Sequence, residues 1–214
     1  MIVAARFNGP PASGNGGYTA GLLAAELGPG PATVTLRKPP PLETPLEVIP
    51  AGDGLELRQA DEVVATAVAA ASAPQSPAWA DPTGAGPYAG FADHPFPTCY
   101  VCGPERGTDA LRIFPGVLPD GRTAARWTVP SDVSAVTVWA ALDCPGGWAI
   151  IAPGRPYVLG RITVAVQAVP SPGEECVVIG EFVRSEGRKG FVRTGLFGAD
   201  RQPLAAAEAV WIAI

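Results

Sequence analysis

The pattern of apolar and polar residues predicts a helix followed by about four strands in the first half of the chain. Residues 16–27 are almost entirely apolar, which is typical of a helix that is mostly buried. The run Gly28-Pro29-Gly30-Pro31 provides a strong stop signal for this helix. Shorter runs, several with period-two alternation, indicate strands. The predicted strands are 2–7 ahead of the helix and 32–37, 46–49, 54–59 and 62–71 after it.

The second half repeats this order after a change in composition. Residues 73–98 contain six prolines and little periodicity, which predicts a surface linker. An apolar stretch at 136–142 leads into a second Gly-Gly pair, which predicts a second helix that is broken at Arg155-Pro156. The predicted strands are 110–117 and 123–129 before it and 157–169, 175–184, 189–198 and 204–213 after it.

A short motif accompanies each predicted helix. Residues 13–25 and 139–151 both contain a Gly-Gly pair, then an aromatic residue, then an apolar run. Glycines leave backbone N–H groups uncovered, and the first N–H groups of a helix have no partner inside it. Two equivalent helix starts would therefore offer hydrogen-bond donors to a group that carries a partial negative charge. The predicted substrate-binding residues are Gly16, Gly17, Tyr18, Gly146, Gly147 and Trp148.

Composition narrows the functional class. The 214 residues are 47% apolar and 16% charged, which is sufficient for a sizeable core. The net charge is −5 and no basic face is evident, so nucleic acid is not an expected partner. The sequence shows neither a signal peptide nor about 18 consecutive apolar residues, so no membrane association is expected. Four cysteines do not suggest a disulfide framework, and the expectation is a cytoplasmic protein with reduced thiols.

The repeated order of elements resembles the hotdog-fold superfamily in its double form, with two units fused in one chain. Aligning the halves matches 33–36 with 161–164, in addition to the Gly-Gly pairs. The resemblance implies an α+β fold, a double hotdog with two central helices, each wrapped by an antiparallel β-sheet. The units would be 1–72 and 99–214, joined by the linker at 73–98.

Two motifs resemble those of hotdog thioesterases. Asn8 followed by Asn15-Gly16-Gly17 is similar to the Asn…His-Gly-Gly pattern of phenylacetyl-CoA-type enzymes, with Asn15 in place of the His. Residues 142–147 are similar to the Asp-x-x-Gly-His segment of hydroxybenzoyl-CoA-type enzymes, with Gly147 in place of the His. The acid that the first type carries further along the helix is missing. The resemblance implies an acyl-CoA or acyl-carrier-protein thioester as the ligand, no cofactor and a possible homodimer.

Thioester hydrolysis needs hydrogen-bond donors for the oxyanion and a carboxylate that attacks the carbonyl or activates water. The predicted catalytic residues are Asp143, Glu26 and Asn15. For each one a structural role is the alternative: Asp143 and Asn15 as helix caps, and Glu26 as a solvated helix-end carboxylate. The prediction is a thioesterase-like hydrolase. A non-catalytic acyl-CoA-binding or structural hotdog protein is the alternative.

A Cys99-x-x-Cys102 motif closes the linker. Zinc prefers about four ligands, and the remaining candidates are His94, Cys144 and Cys176. A full zinc site normally shows two ligand pairs, whereas this chain shows one. The prediction is therefore no metal site, and Cys99 with Cys102 is the alternative. The favoured explanation of the motif is a tight turn with small buried thiols.

Overall fold

The computed structural model describes residues 1–152 and 154–214. Its main feature is a ten-stranded antiparallel sheet, with strand order β2-β3-β4-β1-β7-β10-β9-β8-β6-β5. The strands are β1 (Ala32–Leu36), β2 (Glu47–Ala51), β3 (Gly54–Gln59), β4 (Glu62–Ala69), β5 (Gly116–Val117), β6 (Thr123–Thr128), β7 (Tyr157–Val166), β8 (Glu175–Glu186), β9 (Lys189–Phe197) and β10 (Pro203–Ala213).

Three α-helices accompany this sheet: α1 (Gly16–Ala25), α2 (Ala135–Ala141) and α3 (Cys144–Gly147). Short 3-10 turns lie at Ala5–Phe7, Pro82–Gly84 and Ala89–Phe91. Helix α1 packs against α2 so closely that a Cβ atom on Gly21 would lie 2.8 Å from the Cβ of Trp139. Within the described residues, no helix is long and apolar enough to cross a membrane.

The core lies between the helices and one face of the sheet. Leu23 of α1 is completely buried among residues of both halves of the sheet. The other fully buried members of this cluster include Val34, Leu57, Ile162 and Leu196. Burying apolar area is the main favourable contribution to folding, so one continuous core ties the two halves together.

Most of the predicted elements are confirmed. The helix predicted at 16–27 is α1, and the strands predicted from the runs at 32–37, 54–59, 62–71 and 123–129 are β1, β3, β4 and β6. The run at 46–49 corresponds to β2, and the four final strand predictions correspond to β7, β8, β9 and β10.

Two strand predictions are wrong. Residues 2–7 form no strand, because the Phe7 N–H bonds back to the Ala4 carbonyl and closes a 3-10 turn. Of 110–117, only β5 joins the sheet. The N–H groups of Leu111 and Ile113 instead donate to the carbonyls of Tyr100 and Val101, beside the Cys-x-x-Cys turn.

The prediction of two equivalent central helices is not confirmed, because α1 is the only long helix in the described chain. The second helical region is broken into α2 and α3, and Gly146-Gly147 ends α3 instead of starting a helix. Pro145 has no N–H to donate to the Ala141 carbonyl, which accounts for the break between α2 and α3. Glycine disfavours helix interiors by about 1 kcal/mol per residue relative to alanine, so Gly146-Gly147 does not favour continuing α3.

The two halves of the sheet meet where β1 pairs with β7. Val34 lies opposite Ile162, Thr33 opposite Thr163, and Thr35 opposite Arg161. The sequence alignment of the halves placed Val34 on Ile162 and Thr35 on Thr163. This pairing is therefore the one that a local two-fold axis passing between Val34 and Ile162 produces.

The two threonine hydroxyls at this junction should be coupled in stability. Replacing one of them should lower the free energy of unfolding, and replacing both should lower it by less than the sum of the single changes. The Oγ1 atoms of Thr33 and Thr163 are 2.8 Å apart. Thr33→Val alone leaves the partner hydroxyl without its bond, and we expect a loss of about 0.5–1.5 kcal/mol in the free energy of unfolding. Thr163→Val should cost the same, and the double variant less than the sum. Urea denaturation measures all three, and strictly additive losses would contradict the contact.

Candidate active site

An apolar cavity of about 450 Å³ lies between the start of α1, helix α3 and strands β7 and β10. Its apolar walls include Leu36, Phe96, Trp148, Ile151, Tyr157, Leu159, Trp211 and Ile212. Its polar lining includes Ser13, Asn15, His94, Cys99, Cys102, Asp143 and Cys144, and Arg37 and Lys38 also border it. A mainly apolar cavity with a few converging polar groups is the usual form of a small-molecule site.

Asp143 is the central polar group of this cavity. Asp143 is only 3% exposed. Its Oδ2 accepts hydrogen bonds from the Gly17 N–H at 2.9 Å and from the Asn15 Nδ2 at 3.1 Å. Its Oδ1 is buried without a hydrogen-bond partner in the described part of the chain. Burial raises the pKa of Asp143 to about 7, against the opposing effect of these hydrogen bonds.

The alternative role of Asp143 as a cap of its own helix is not observed. Asp143 occupies the N-cap position of α3, but its side chain makes no capping bond there. The carboxylate instead bonds the second N–H of α1, where the helix dipole favours negative charge. This contact joins the two halves of the chain at the cavity.

Asn15 is a helix cap and a donor at the same time. Its Oδ1 accepts a hydrogen bond from the Tyr18 N–H at 2.8 Å, which makes it the N-cap of α1. The Nδ2 donates to Asp143 and also lies 3.9 Å from the Cys99 Sγ and 4.0 Å from the Cys144 Sγ. Capping therefore fixes the amide in place beside the carboxylate.

Three thiols meet beside this amide. The Sγ atoms of Cys99, Cys102 and Cys144 all lie within 4.8 Å of one another and are buried. A tight turn presents the first two, because the Gly103 N–H donates to the Cys99 carbonyl at 2.9 Å. A Cβ atom on Gly103 would meet the Cys99 backbone N at 2.5 Å, so this turn requires glycine. Hydrogen bonds from the other two thiols hold the pKa of Cys99 well below its usual value.

The predicted binding residues divide into two groups. Gly16 and Trp148 line the cavity, and Gly17 binds Asp143 next to it. Tyr18, Gly146 and Gly147 are not among the described residues that line the cavity.

The residues outside the cavity have packing roles. Tyr18 stacks on Phe7 with ring centroids 3.7 Å apart. A Cβ atom on Gly146 would lie 2.4 Å from the Thr194 Oγ1, and one on Gly147 would lie 2.6 Å from the Trp211 ring. These two glycines therefore let α3 pack closely against β9 and β10.

Glu26 lies away from the cavity. It is exposed at the C-terminal end of α1, where it caps the helix through its backbone N–H. The cavity borders the opposite end of this helix. The structure thus brings together Asp143, Asn15 and Gly16 but not Glu26.

Sequence reasoning missed most of the cavity wall. Tyr157 and Leu159 alternate along β7, and Trp211 faces the same cavity from β10. The period-two pattern of these strands carries the signal that one face is buried, but it does not reveal which residues border a cavity. His94, which the sequence offered only as a candidate zinc ligand, lines the cavity, and its Nε2 lies 3.4 Å from the Cys102 Sγ.

Comparisons with solved structures identify the fold. A conserved protein of unknown function with a hot dog fold from Alicyclobacillus acidocaldarius is similar over 99% of this chain and 91% of its own, with a TM-score of 0.65 and 15% identity. The tesB protein of Mycobacterium avium subspecies paratuberculosis matches over 100% of this chain and 91% of its own, with a TM-score of 0.63 and 13% identity.

A candidate thioesterase II from Thermobifida fusca covers 100% of this chain and 95% of its own, with a TM-score of 0.60 and 11% identity. No protein-family model and no curated protein matches the sequence. The chain has the hotdog fold, with an α+β architecture built on one large antiparallel sheet.

Proposed function

We propose that this chain is a thioesterase-like hydrolase that cleaves an acyl thioester in the cavity between two fused hotdog units. The units are 1–72 and 99–214, and 73–98 joins them. The symmetric pairing of β1 with β7 supports this division, because it relates equivalent strands of the two halves by a local two-fold axis. The likeness to structures named as thioesterases favours the thioester as the ligand.

The observation that carries the proposal is the buried carboxylate at an apolar cavity. A fully buried carboxylate is costly unless its hydrogen bonds are satisfied, and Asp143 leaves one oxygen without a partner in the described structure. Such a costly arrangement in a cavity is typical of functional sites. A catalytic role explains why the chain keeps an acid here and not an apolar residue.

The reaction follows from the positions of these groups. The ionised Asp143 takes a proton through Oδ1 from a water molecule, and the water oxygen attacks the thioester carbonyl carbon. The oxyanion accepts a hydrogen bond from the Gly16 N–H, which has no partner within its own helix. The carbon–sulfur bond then breaks, the departing thiolate takes the proton that Asp143 had accepted, and a carboxylic acid and a thiol are released, with Asp143 ionised again.

The cavity suits the acyl part of such a substrate. Apolar side chains such as Leu159 and Trp211 form its walls, which favours an apolar acyl chain. Arg37 borders the cavity and is exposed, so its guanidinium can meet a phosphate of the CoA or phosphopantetheine group outside. Both acyl-CoA and acyl-carrier protein present this group.

A second candidate is a protein that binds the thioester without cleaving it. Its support is the hydrogen bond from the Gly17 N–H to the Asp143 Oδ2. Because Asp143 occupies this N–H, the N–H is not free to donate to an oxyanion. In this alternative, Asp143 joins the two halves and performs no chemistry.

A panel of acyl-CoAs tests both candidates. We expect turnover of at least one member of a set with short, long and aromatic acyl chains, measured by release of free CoA thiol. Thermal melting in the same plate reports binding. A raised melting temperature without turnover would support the binding protein. The absence of both turnover and a melting shift across the panel would contradict both candidates.

A further inference from the structure

The three thiols at the cavity come from two distant parts of the chain. Cys99 and Cys102 lie in the turn that follows the proline-rich segment, and Cys144 is the first residue of α3. All three side chains are at most 5% exposed. The fold therefore brings a third soft ligand to a Cys-x-x-Cys pair, although the sequence spacing did not suggest this.

The distances between these sulfurs match a metal site. A zinc ion about 2.3 Å from each sulfur of a tetrahedral site places those sulfurs about 3.8 Å apart. The Cys99 and Cys144 Sγ atoms are 3.8 Å apart, and all three pairs fall within 4.8 Å. A shift of less than about 1 Å in the Cys102 side chain would be enough to complete the tetrahedral geometry.

Two hydrogen-bond donors surround these sulfurs. The Asn15 Nδ2 lies near both Cys99 and Cys144, and its position is fixed by its capping bond. His94 Nδ1 accepts a hydrogen bond from the Phe96 N–H at 2.8 Å, so the proton of a neutral ring lies on Nε2. That Nε2–H can donate to the Cys102 sulfur 3.4 Å away. Donors of this kind orient ligands and stabilise thiolates.

We propose that Cys99, Cys102 and Cys144 bind one Zn²⁺ ion as thiolates, with His94 and Asn15 as hydrogen-bond donors to the ligands. Since the tautomer of His94 directs a proton and not a lone pair at the cluster, the fourth position is left for a water or a ligand atom that enters from the cavity. Soft thiolates select zinc over magnesium and calcium. The site does not rest on the proposed hydrolysis.

The metal content of the full-length protein tests this site. The protein is purified without chelators, under a phosphine reductant, from cells grown with added zinc, and metals are measured by inductively coupled plasma mass spectrometry. We expect about one zinc per chain. Cys99→Ser, Cys102→Ser and Cys144→Ser should each lose most of it, whereas Cys176→Ser should retain it. Cys176 is the matched control, because it is equally buried but lies in β8 outside the cluster.

Further variants and a spectroscopic probe keep the test decisive. Cobalt added to the zinc-free protein should produce the sulfur-to-metal charge-transfer absorption of thiolate coordination, and Cys144→Ser should abolish it even if the variant folds poorly in zinc. His94→Ala should still bind one zinc, with affinity reduced about 10- to 100-fold.

Three results would overturn the assignment. One is wild-type protein that stays free of zinc with four titratable thiols after incubation with the metal. Another is a zinc content that the cysteine variants leave unchanged. A complete loss of zinc in His94→Ala would replace the three-thiolate site with one in which His94 is a ligand.

Discussion

Asp143→Asn should reduce the turnover of the acyl thioester by about 100- to 10,000-fold, because it removes the proton acceptor and keeps the shape of the side chain. The amide oxygen can still accept the Gly17 N–H bond, so the structure around α1 should persist. We therefore expect a lower kcat with little change in KM, and a melting temperature close to that of the wild type. Steady-state hydrolysis of the best acyl-CoA in the panel measures the effect.

Two controls separate catalysis from structure in this experiment. Glu26→Gln makes the same chemical change at an exposed position on the other end of α1, and it should keep wild-type turnover. The zinc content of Asp143→Asn should equal that of the wild type, because Asp143 is not among the three clustered ligands. Wild-type turnover in Asp143→Asn would remove this residue from the mechanism and leave the binding protein as the better account.

Gly17→Ala should disrupt both the fold and the site. A Cβ atom on Gly17 would lie 2.6 Å from the Asp143 Cβ and 2.7 Å from the Trp139 carbonyl oxygen, which is closer than real contacts allow. Helices α1 and α2 must move apart to accept it, and overpacking of this kind costs about 1–3 kcal/mol in the free energy of unfolding. The same movement displaces the carboxylate, so turnover should fall together with stability.

Gly84→Ala is the matched control for Gly17→Ala. Gly84 lies in a short turn with ordinary backbone angles, and no atom comes within 4 Å of the Cβ it would gain. We expect its urea midpoint and its turnover to match the wild type. If Gly17→Ala were as stable and as active as Gly84→Ala, the close contact between α1 and α2 would not hold in solution.

Most of the strands and the first helix could be predicted from the sequence because their signals are local. Period-two alternation at 54–59 corresponds to β3, and the apolar run at 16–27 corresponds to α1. The run Gly28-Pro29-Gly30-Pro31 marks the end of this helical run. The aligned segments 33–36 and 161–164 lie in β1 and β7, which pair where the two halves meet, although the alignment did not predict that pairing.

The second helical region could not be predicted in this way. Its Gly-Gly pair resembles the one that starts α1, but these glycines serve close packing against Thr194 and Trp211, which are distant in sequence. A single chain does not show whether a glycine is kept for a helix start or for a tertiary contact.

The candidate site was found in part. Asp143 and Asn15 were identified from their positions beside predicted helix starts, but their mutual contact spans 128 residues and depends on the folded sheet. The third thiol of the cluster has the same origin, since Cys144 meets the Cys-x-x-Cys turn only through tertiary structure. Residue spacing alone therefore favoured the absence of a metal site.

A crystal structure of Asp143→Asn with a non-hydrolysable acyl-CoA analogue tests the central claim most directly. The acyl chain should fill the cavity beside Leu159 and Trp211, with the carbonyl oxygen about 2.7–3.1 Å from the Gly16 backbone nitrogen. An analogue bound outside this cavity, or with its carbonyl far from the Gly16 N–H, would contradict the proposed site.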